Sequence, residues 1–233
     1  MNYDIWRRRS IEHALDVQLT GVVGRYKPEQ PTVCLLPGGM GSQLNLSSRR
    51  HNPAEPIPAN PVEPVWLDFG VTSGEAHSLR ITDGRDYGNR VIAPCGAVNF
   101  PPFIEPYVFL KNFVADDKGW NFVEFGYDWR RPLSESAEML RYFLAGYRER
   151  VVARWNEDPL QNTHLVCHSM GGMVAMLFVH QLTHGSNAIK PADTRAWFDK
   201  IISIATPYYG TATHLERYYE GCVFRTKLTA HSD

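Results

Sequence analysis

The chain has 233 residues, of which 43% are hydrophobic and 21% charged, and these values are ordinary for a folded domain. Its formal net charge of −1 creates no field that favours nucleic acid or an anionic membrane, and we expect no nucleic-acid partner. The richest apolar stretch, residues 173–179, is too short to span a membrane. We therefore expect a single domain over residues 1–233.

The start of the chain and its cysteines predict a cytoplasmic protein with reduced thiols. Glu12, His13 and Asp16 interrupt the region where a signal peptide needs an apolar stretch. The cysteines show neither C-x-x-C spacing nor the density of a disulfide scaffold. They are Cys34, Cys95, Cys167 and Cys222.

The first half of the chain contains one clear strand and a long insertion. Residues 10–26 fit a helix or a strand equally well. The apolar run 33–36, stopped by Pro37-Gly38-Gly39, predicts a strand buried on both faces and followed by a turn. Residues 45–103 show no clear helix and hold five prolines between positions 53 and 64. Such an insertion suits a cap or lid, and a decorated surface loop is the alternative.

The second half alternates helices and strands. A helix is expected from Pro106 to Gly119, a strand at 120–125 and a long amphipathic helix at 134–155. A strand at 163–167, a helix at 170–184 and a strand at 201–205 follow. This alternation predicts an α/β fold with a mostly parallel sheet and helices on both faces.

Residues 165–172 join a buried strand to a helix through a sharp turn with Ser169 at its apex. A serine hydroxyl is a weak nucleophile and must project from a fixed backbone toward a base. The G-x-S-x-G pattern of such turns stands here as Cys167-His168-Ser169-Met170-Gly171, with cysteine in the first glycine position. We predict Ser169 as the nucleophile and His168 as a wall of the pocket; a serine that merely caps a helix is the alternative.

A second loop supplies the other half of an oxyanion site. Residues 37–42 read Pro-Gly-Gly-Met-Gly-Ser, and their glycines let the backbone approach a substrate closely. We predict that the amides of Met40 and Met170 hold the oxyanion and that Gly38 and Gly39 border the substrate. No Gly-Lys-Ser/Thr follows, which argues against a phosphate-binding loop.

Four motifs in order resemble the lecithin:cholesterol acyltransferase family, which includes phospholipid:diacylglycerol acyltransferases and lysosomal-type phospholipases. They are the loop at 37–44, the Tyr-Asp-Trp-Arg segment at 127–130, the nucleophile turn at 168–172 and the segment at 204–211. Two positions depart from that family's pattern. Its members often carry histidine where Tyr208 stands and a small residue such as alanine or glycine where Cys167 stands.

The resemblance implies an α/β-hydrolase fold with a cap and a Ser–Asp–His triad. It implies transfer of acyl groups from a lipid ester to water or to an alcohol acceptor. It supports Ser169 as nucleophile, Met40 and Met170 as oxyanion donors, and Tyr208 beside the substrate. Asp128 and Arg130 are expected to form a structural ion pair that fixes the end of a strand.

The triad acid and histidine are not identifiable in the sequence. They normally follow the nucleophile on two further strands, whereas only the strand at 201–205 follows Ser169, so we expect a hydrolase truncated before its last strands. That strand would be an apolar edge. His214, with Glu216 or Glu220 nearby, is the one histidine that follows a strand end on the correct side. The pair His180 and His184 is expected to lie on a helix surface.

Three functional hypotheses remain open from the sequence. The favoured one is a serine-dependent lipid hydrolase or O-acyltransferase, with a generic carboxylesterase as the closest alternative. A catalytically inactive protein that keeps the fold is the second, and a redox role of Cys34 and Cys167 on neighbouring strands is the third. We expect no metal or organic cofactor. The expected partners are a lipid or other ester, an alcohol acceptor and, transiently, a membrane surface.

Overall fold

The computed structural model describes residues 3–48, 63–66, 79–86, 88, 90–98 and 105–210. The helices are α1 (Tyr3–Val23), α2 (Glu105–Asn112), α3 (Leu133–Trp155) and α4 (Met170–His184). The first six strands are β1 (Thr32–Leu36), β2 (Ser42–Ser48), β3 (Glu63–Trp66), β4 (Ile81–Thr82), β5 (Arg85–Asp86) and β6 (Val91–Ala97). The last three are β7 (Asn121–Glu124), β8 (Thr163–His168) and β9 (Lys200–Ile204).

The central sheet is parallel, with strand order β7-β1-β8-β9. Thr32 of β1 pairs with Asn121 on one side and with Thr163 on the other, so the three strands start in register. Each crossover between them is long enough for a parallel return. Their carboxyl ends therefore lie along one edge of the sheet, where a site in such a fold is expected.

Helices cover both faces of this sheet, which confirms the predicted fold class. Side chains alternate along each strand, so Cys34 and Leu36 of β1 face the core formed with α1, α3 and α4. Val33 of the same strand faces the other way and packs with Val166 and with Val114, which follows α2. None of the helices in the described residues is both long enough and apolar enough to cross a membrane.

The ambiguous start of the chain is helix α1. Ile11, Leu15 and Leu19 recur every fourth residue and are almost fully buried. The helical spacing therefore prevails over the alternating pattern because it places these three side chains against the core of the central sheet.

The insertion at 45–103, for which the sequence shows no clear helix, forms short strands in its described parts. β2 continues from the glycine-rich loop and lies between β3 and β6 in an antiparallel sheet, and β4 pairs with β5. Pro64 and Pro94 lie in β3 and β6, the two edge strands of that sheet, where a missing N–H is tolerated. These prolines obscured the strand pattern in the sequence. The role of the insertion as a cap stays a prediction.

The helix predicted from Pro106 to Gly119 changes its winding before it ends. α2 stops at Asn112, and Phe113–Asp117 forms a π-helical turn. Gly119 then adopts a φ of 71°, which ends the segment before β7. At the other side of the sheet, β9 pairs with β8, and no second partner strand of β9 occurs in the described residues. Its residues Ile202 and Ile204 are 46% and 48% exposed.

Candidate active site

Ser169 occupies a strained turn between β8 and α4. Its φ of 50° and ψ of −120° fall in a region that residues with a side chain rarely adopt, at a cost of about 1–3 kcal/mol. The Ser169 N–H donates to the carbonyl of Ile204 at 2.8 Å, so the end of β9 anchors the turn. The side chain of Ser169 makes no capping hydrogen bond to α4.

Gly171 permits the tight join between turn and sheet. A Cβ at this position would lie 2.7 Å from the carbonyl oxygen of Pro37 and closer still to that of Leu36. The first turn of α4 can therefore approach the end of β1 only without a side chain here. Cys167, in the first glycine position of the motif, is fully buried in the core and fits there.

The glycine-rich loop lies directly against the nucleophile turn. The N–H of Gly41 donates to the carbonyl of Gly38 at 2.9 Å, and Met40 has a φ of 63°, the pattern of a type II turn. A Cβ on Gly38 would be 3.1 Å from the Cβ of Ser169, and one on Gly39 would be 3.5 Å from the sulfur of Met170. The structure thus places Gly38 beside Ser169 and Gly39 beside Met170, with Met40 in the same turn; their roles as nucleophile and oxyanion donors stay predictions.

Tyr127, the first residue of the Tyr-Asp-Trp-Arg segment, fixes both ends of this loop. Its buried hydroxyl donates to the carbonyl of Pro37 at 2.7 Å. Its backbone N–H donates to the hydroxyl of Ser42 at 3.1 Å. Trp66 on β3 holds the middle, because its indole N–H donates to the carbonyl of Met40 at 2.7 Å. The loop is therefore held from the central sheet and from the second sheet at once.

Tyr107 on α2 is a site residue that the sequence did not reveal. Its hydroxyl accepts the N–H of Gly38 at 2.8 Å and lies 2.7 Å from Nδ1 of His168. Burial raises the pKa of Tyr107 and lowers that of His168, so both groups are neutral at about pH 7. His168 lies beside Gly38 and Tyr107, and its role as a wall of the pocket stays a prediction. No motif contains Tyr107, and only the packing of α2 against the sheet brings it here.

Asp128 and Arg130 form the ion pair that was expected. Two guanidinium nitrogens of Arg130 lie 2.8 and 2.7 Å from the two carboxylate oxygens of Asp128. Arg130 also contacts Asp86 at 2.9 Å, which joins the hairpin β4–β5 to the end of β7. Burial alone would raise the pKa of Asp128, but the hydrogen bond from Arg130 and the charges of Arg130, Arg7 and Arg131 outweigh it and lower that pKa.

Tyr208, the predicted substrate neighbour after β9, lies on the same edge of the sheet. It is half exposed, and its hydroxyl donates to Ser203 at 2.8 Å. Thr206 in the same segment lies against Gly172 near the start of α4. The segment after β9 therefore lies beside the first turn of α4.

The predicted base is not among the residues that the structure describes. His214, with Glu216 and Glu220, lies outside them. The rings of His180 and His184 stack at 4.6 Å on an exposed part of α4, which agrees with the helix-surface expectation.

The thiols of Cys34 and Cys167 lie on neighbouring strands, as the redox hypothesis required. Both are fully buried, and burial raises the pKa of Cys167 to about 12 and raises that of Cys34 as well. The thiolate form that redox chemistry needs is therefore strongly disfavoured at both positions. The geometry argues against the redox hypothesis.

Ser169 lies where the glycine-rich loop meets the first turn of α4. That helix directs free N–H groups and the positive end of its dipole toward the same point. This is the arrangement that stabilises the oxyanion of an acyl-transfer reaction.

The comparison with protein families agrees with this geometry. Residues 116–231, which are 116 of the 233 residues, match the model of the lecithin:cholesterol acyltransferase family. The matched range includes the Tyr-Asp-Trp-Arg segment and the Ser169 turn, whereas the glycine-rich loop precedes it. No curated protein matches the chain. Over residues 116–231 the chain is therefore similar to the lecithin:cholesterol acyltransferase family, and the order of its motifs agrees with that similarity.

Proposed function

We propose that the protein transfers acyl groups from lipid esters through an acyl-enzyme on Ser169. The single observation that carries this proposal is the strained Ser169 turn, with the glycine-rich loop pressed against it. Backbone strain of this kind persists only where surrounding structure holds it, and such strain clusters at active sites. The family match supports a lipid acyl ester as the substrate class.

The proposed reaction has two halves. The Ser169 oxygen bonds to the ester carbonyl carbon, its proton passes to a base, and the carbonyl electrons move onto the oxygen. The amides of Met40 and Met170 donate to this oxyanion; losing one such donor costs about 3–4 kcal/mol of transition-state stabilisation. Collapse of the intermediate releases the alcohol, which takes up the proton, and leaves the acyl group on Ser169.

In the second half, water or an alcohol acceptor attacks the acyl-enzyme. Its proton passes to the base, its oxygen bonds to the acyl carbon, and the bond to Ser169 breaks with return of the proton to the serine. We propose His214 as the base, since it follows the β9 strand end in sequence. Hydrolysis and transfer differ only in the acceptor.

The proposed substrate resides in a lipid phase, and α2 offers a surface that could meet it. Phe109 is 72% exposed, and Val108 and Phe113 beside it are also exposed. The rings of Phe109 and Phe113 stack at 6.4 Å. Because the same helix carries Tyr107 into the site, contact of this surface with a membrane would bring the site close to its substrate.

A product analysis tests the proposed function. The purified chain is incubated with phosphatidylcholine vesicles that contain a long-chain alcohol, and free fatty acid and alkyl ester are quantified by mass spectrometry. We expect Ser169-dependent release of acyl groups, with alkyl ester marking a transferase and free acid alone marking a hydrolase. Turnover of short soluble esters without lipid turnover would favour a carboxylesterase. Equal product from Ser169→Ala, or no product, would contradict the proposal.

A further inference from the structure

The hydroxyl of Tyr107 lies between the glycine-rich loop and the turn at Ser169. It is within hydrogen-bond distance of the N–H of Gly38 on one side, at 2.8 Å, and of Nδ1 of His168 on the other, at 2.7 Å. The two rings also meet edge to face, with centroids 5.7 Å apart. One side chain from α2 therefore connects the two halves of the site.

Two glycines of the loop make room for this contact. A Cβ on Gly38 would lie 2.9 Å from Nδ1 of His168, and a Cβ on Gly41 would lie 2.9 Å from the hydroxyl of Tyr107. A side chain at either position would displace Tyr107 or His168 from the hydrogen bond between them. Gly38 and Gly41 therefore make room for the hydrogen bonds of Tyr107 with Gly38 and His168, in addition to forming the turn.

The hydrogen bonds of Tyr107 also bear on which ring nitrogen of neutral His168 carries the proton. The N–H of Gly38 can only donate, so the phenol oxygen accepts from it. We assign the phenol proton to the bond with Nδ1 of His168, the other hydrogen-bond partner of this hydroxyl among the described residues, and Nδ1 is then the unprotonated acceptor. Neutral His168 consequently carries its proton on Nε2. The Gly38 amide donates to Tyr107 and the Gly41 amide donates to the Gly38 carbonyl, which leaves the amides of Gly39 and Met40 for an oxyanion.

We propose that Tyr107 is a positioning residue for the proposed acyl-transfer reaction. It holds the glycine-rich loop at a fixed separation from the Ser169 turn and fixes the tautomer and orientation of His168. This inference rests on the proposed function, because the oxyanion that the loop would bind belongs to that reaction. Misplacing a catalytic group by about 1 Å can cost 100-fold in rate.

The kinetic test compares two tyrosine variants of the full chain. Tyr107→Phe removes the bridging hydroxyl, and Tyr147→Phe removes a buried hydroxyl that contacts Thr32 at 3.1 Å in the core beneath the sheet. We expect Tyr107→Phe to lower kcat for a soluble ester about 10- to 100-fold with KM within about twofold. Tyr147→Phe should leave both constants unchanged. Wild-type kcat in Tyr107→Phe would overturn the positioning role while the proposed function stands.

A spectroscopic test is independent of turnover. In the full chain labelled with ¹⁵N-histidine, His168 should give the chemical shifts of the Nε2–H tautomer. Tyr107→Phe should move these shifts toward a mixture of tautomers, and Tyr147→Phe should not change them. A proton on Nδ1 in the wild type, or unchanged shifts in Tyr107→Phe, would overturn the proposal. If the wild type turned over no ester, the proposed function would fail, and the positioning role for that reaction would fail with it even if these shifts were as expected.

Discussion

The stability of the variant Gly171→Ala tests whether a steric clash at this position outweighs the gain in helix propensity. In an ordinary helix, replacing glycine with alanine stabilises by about 1 kcal/mol. At Gly171 the new Cβ would lie 2.7 Å from the Pro37 carbonyl oxygen and even closer to that of Leu36, whereas carbon and oxygen in contact are normally more than about 3 Å apart. Both oxygens belong to backbone at the end of the central strand β1, which cannot rotate away as a side chain can.

Overpacking of this kind costs about 1–3 kcal/mol and occasionally more, so the clash should outweigh the propensity gain. Because both contacts are with backbone atoms, we take the upper end of this range, about 3 kcal/mol, which less the propensity gain leaves a net loss of about 2 kcal/mol. This is equivalent to a Tm lower by about 4–8 °C for a chain of this size. Urea unfolding followed by circular dichroism measures the free energy directly. Reactivity of Ser169 should fall in the same variant, because α4 and the turn that precedes it must shift.

Gly21→Ala is the matched control. Gly21 is exposed in α1, and a Cβ there would meet no atom within 4 Å. It should gain about 0.5–1 kcal/mol, the value expected from propensity alone. The reasoning would be refuted if Gly171→Ala were as stable as the wild type or were stabilised to the same degree as Gly21→Ala.

Three further predictions concern the ion pairs and the exposed face of α2. Asp128→Asn should cost about 3–5 kcal/mol because it removes one of the two carboxylates, Asp128 and Asp86, that pair with the buried guanidinium groups of Arg130 and Arg131. Asp16→Asn, which breaks an exposed pair with Arg150, should cost less than about 1 kcal/mol in the same urea assay. Because the folded pKa of Asp128 is lowered, its contribution is present above its unfolded pKa and is lost as the pH falls through the folded value. The stability difference between wild type and Asp128→Asn should therefore narrow below about pH 4, and a constant difference down to acid unfolding would contradict the lowered pKa. Phe109→Ser should weaken co-sedimentation with phosphatidylcholine vesicles more than Ile5→Ser, which removes another exposed apolar side chain on α1, and equal effects would argue against contact through α2.

The central sheet could be predicted because its strands are short apolar runs bounded by turn residues. The run at 33–36 and the strand that ends at Cys167 are buried on both faces, and such runs stand out without any alternation. The nucleophile turn was predictable for a related reason, since its strand, apex and helix are contiguous in sequence. A local sequence pattern is enough to predict a structural feature when the residues that form it are contiguous in the chain.

The remaining features depend on tertiary contacts that no local pattern encodes. β3 and β6 carry prolines that are acceptable only because these strands form sheet edges, and edge position is a property of the fold. Tyr107 resembles any residue near a helix start until α2 packs against the sheet. The π-helical turn after Asn112 likewise has no marker in the sequence that we identified.

The most direct test of the central claim is covalent labelling of Ser169. The purified chain and its Ser169→Ala variant are treated with a fluorophosphonate, and the intact mass of each is measured after their folding has been verified by circular dichroism. The account predicts one adduct on the wild-type chain and none on Ser169→Ala. A folded wild-type chain without an adduct, or an adduct that survives in Ser169→Ala, would contradict the assignment of Ser169 as an activated nucleophile.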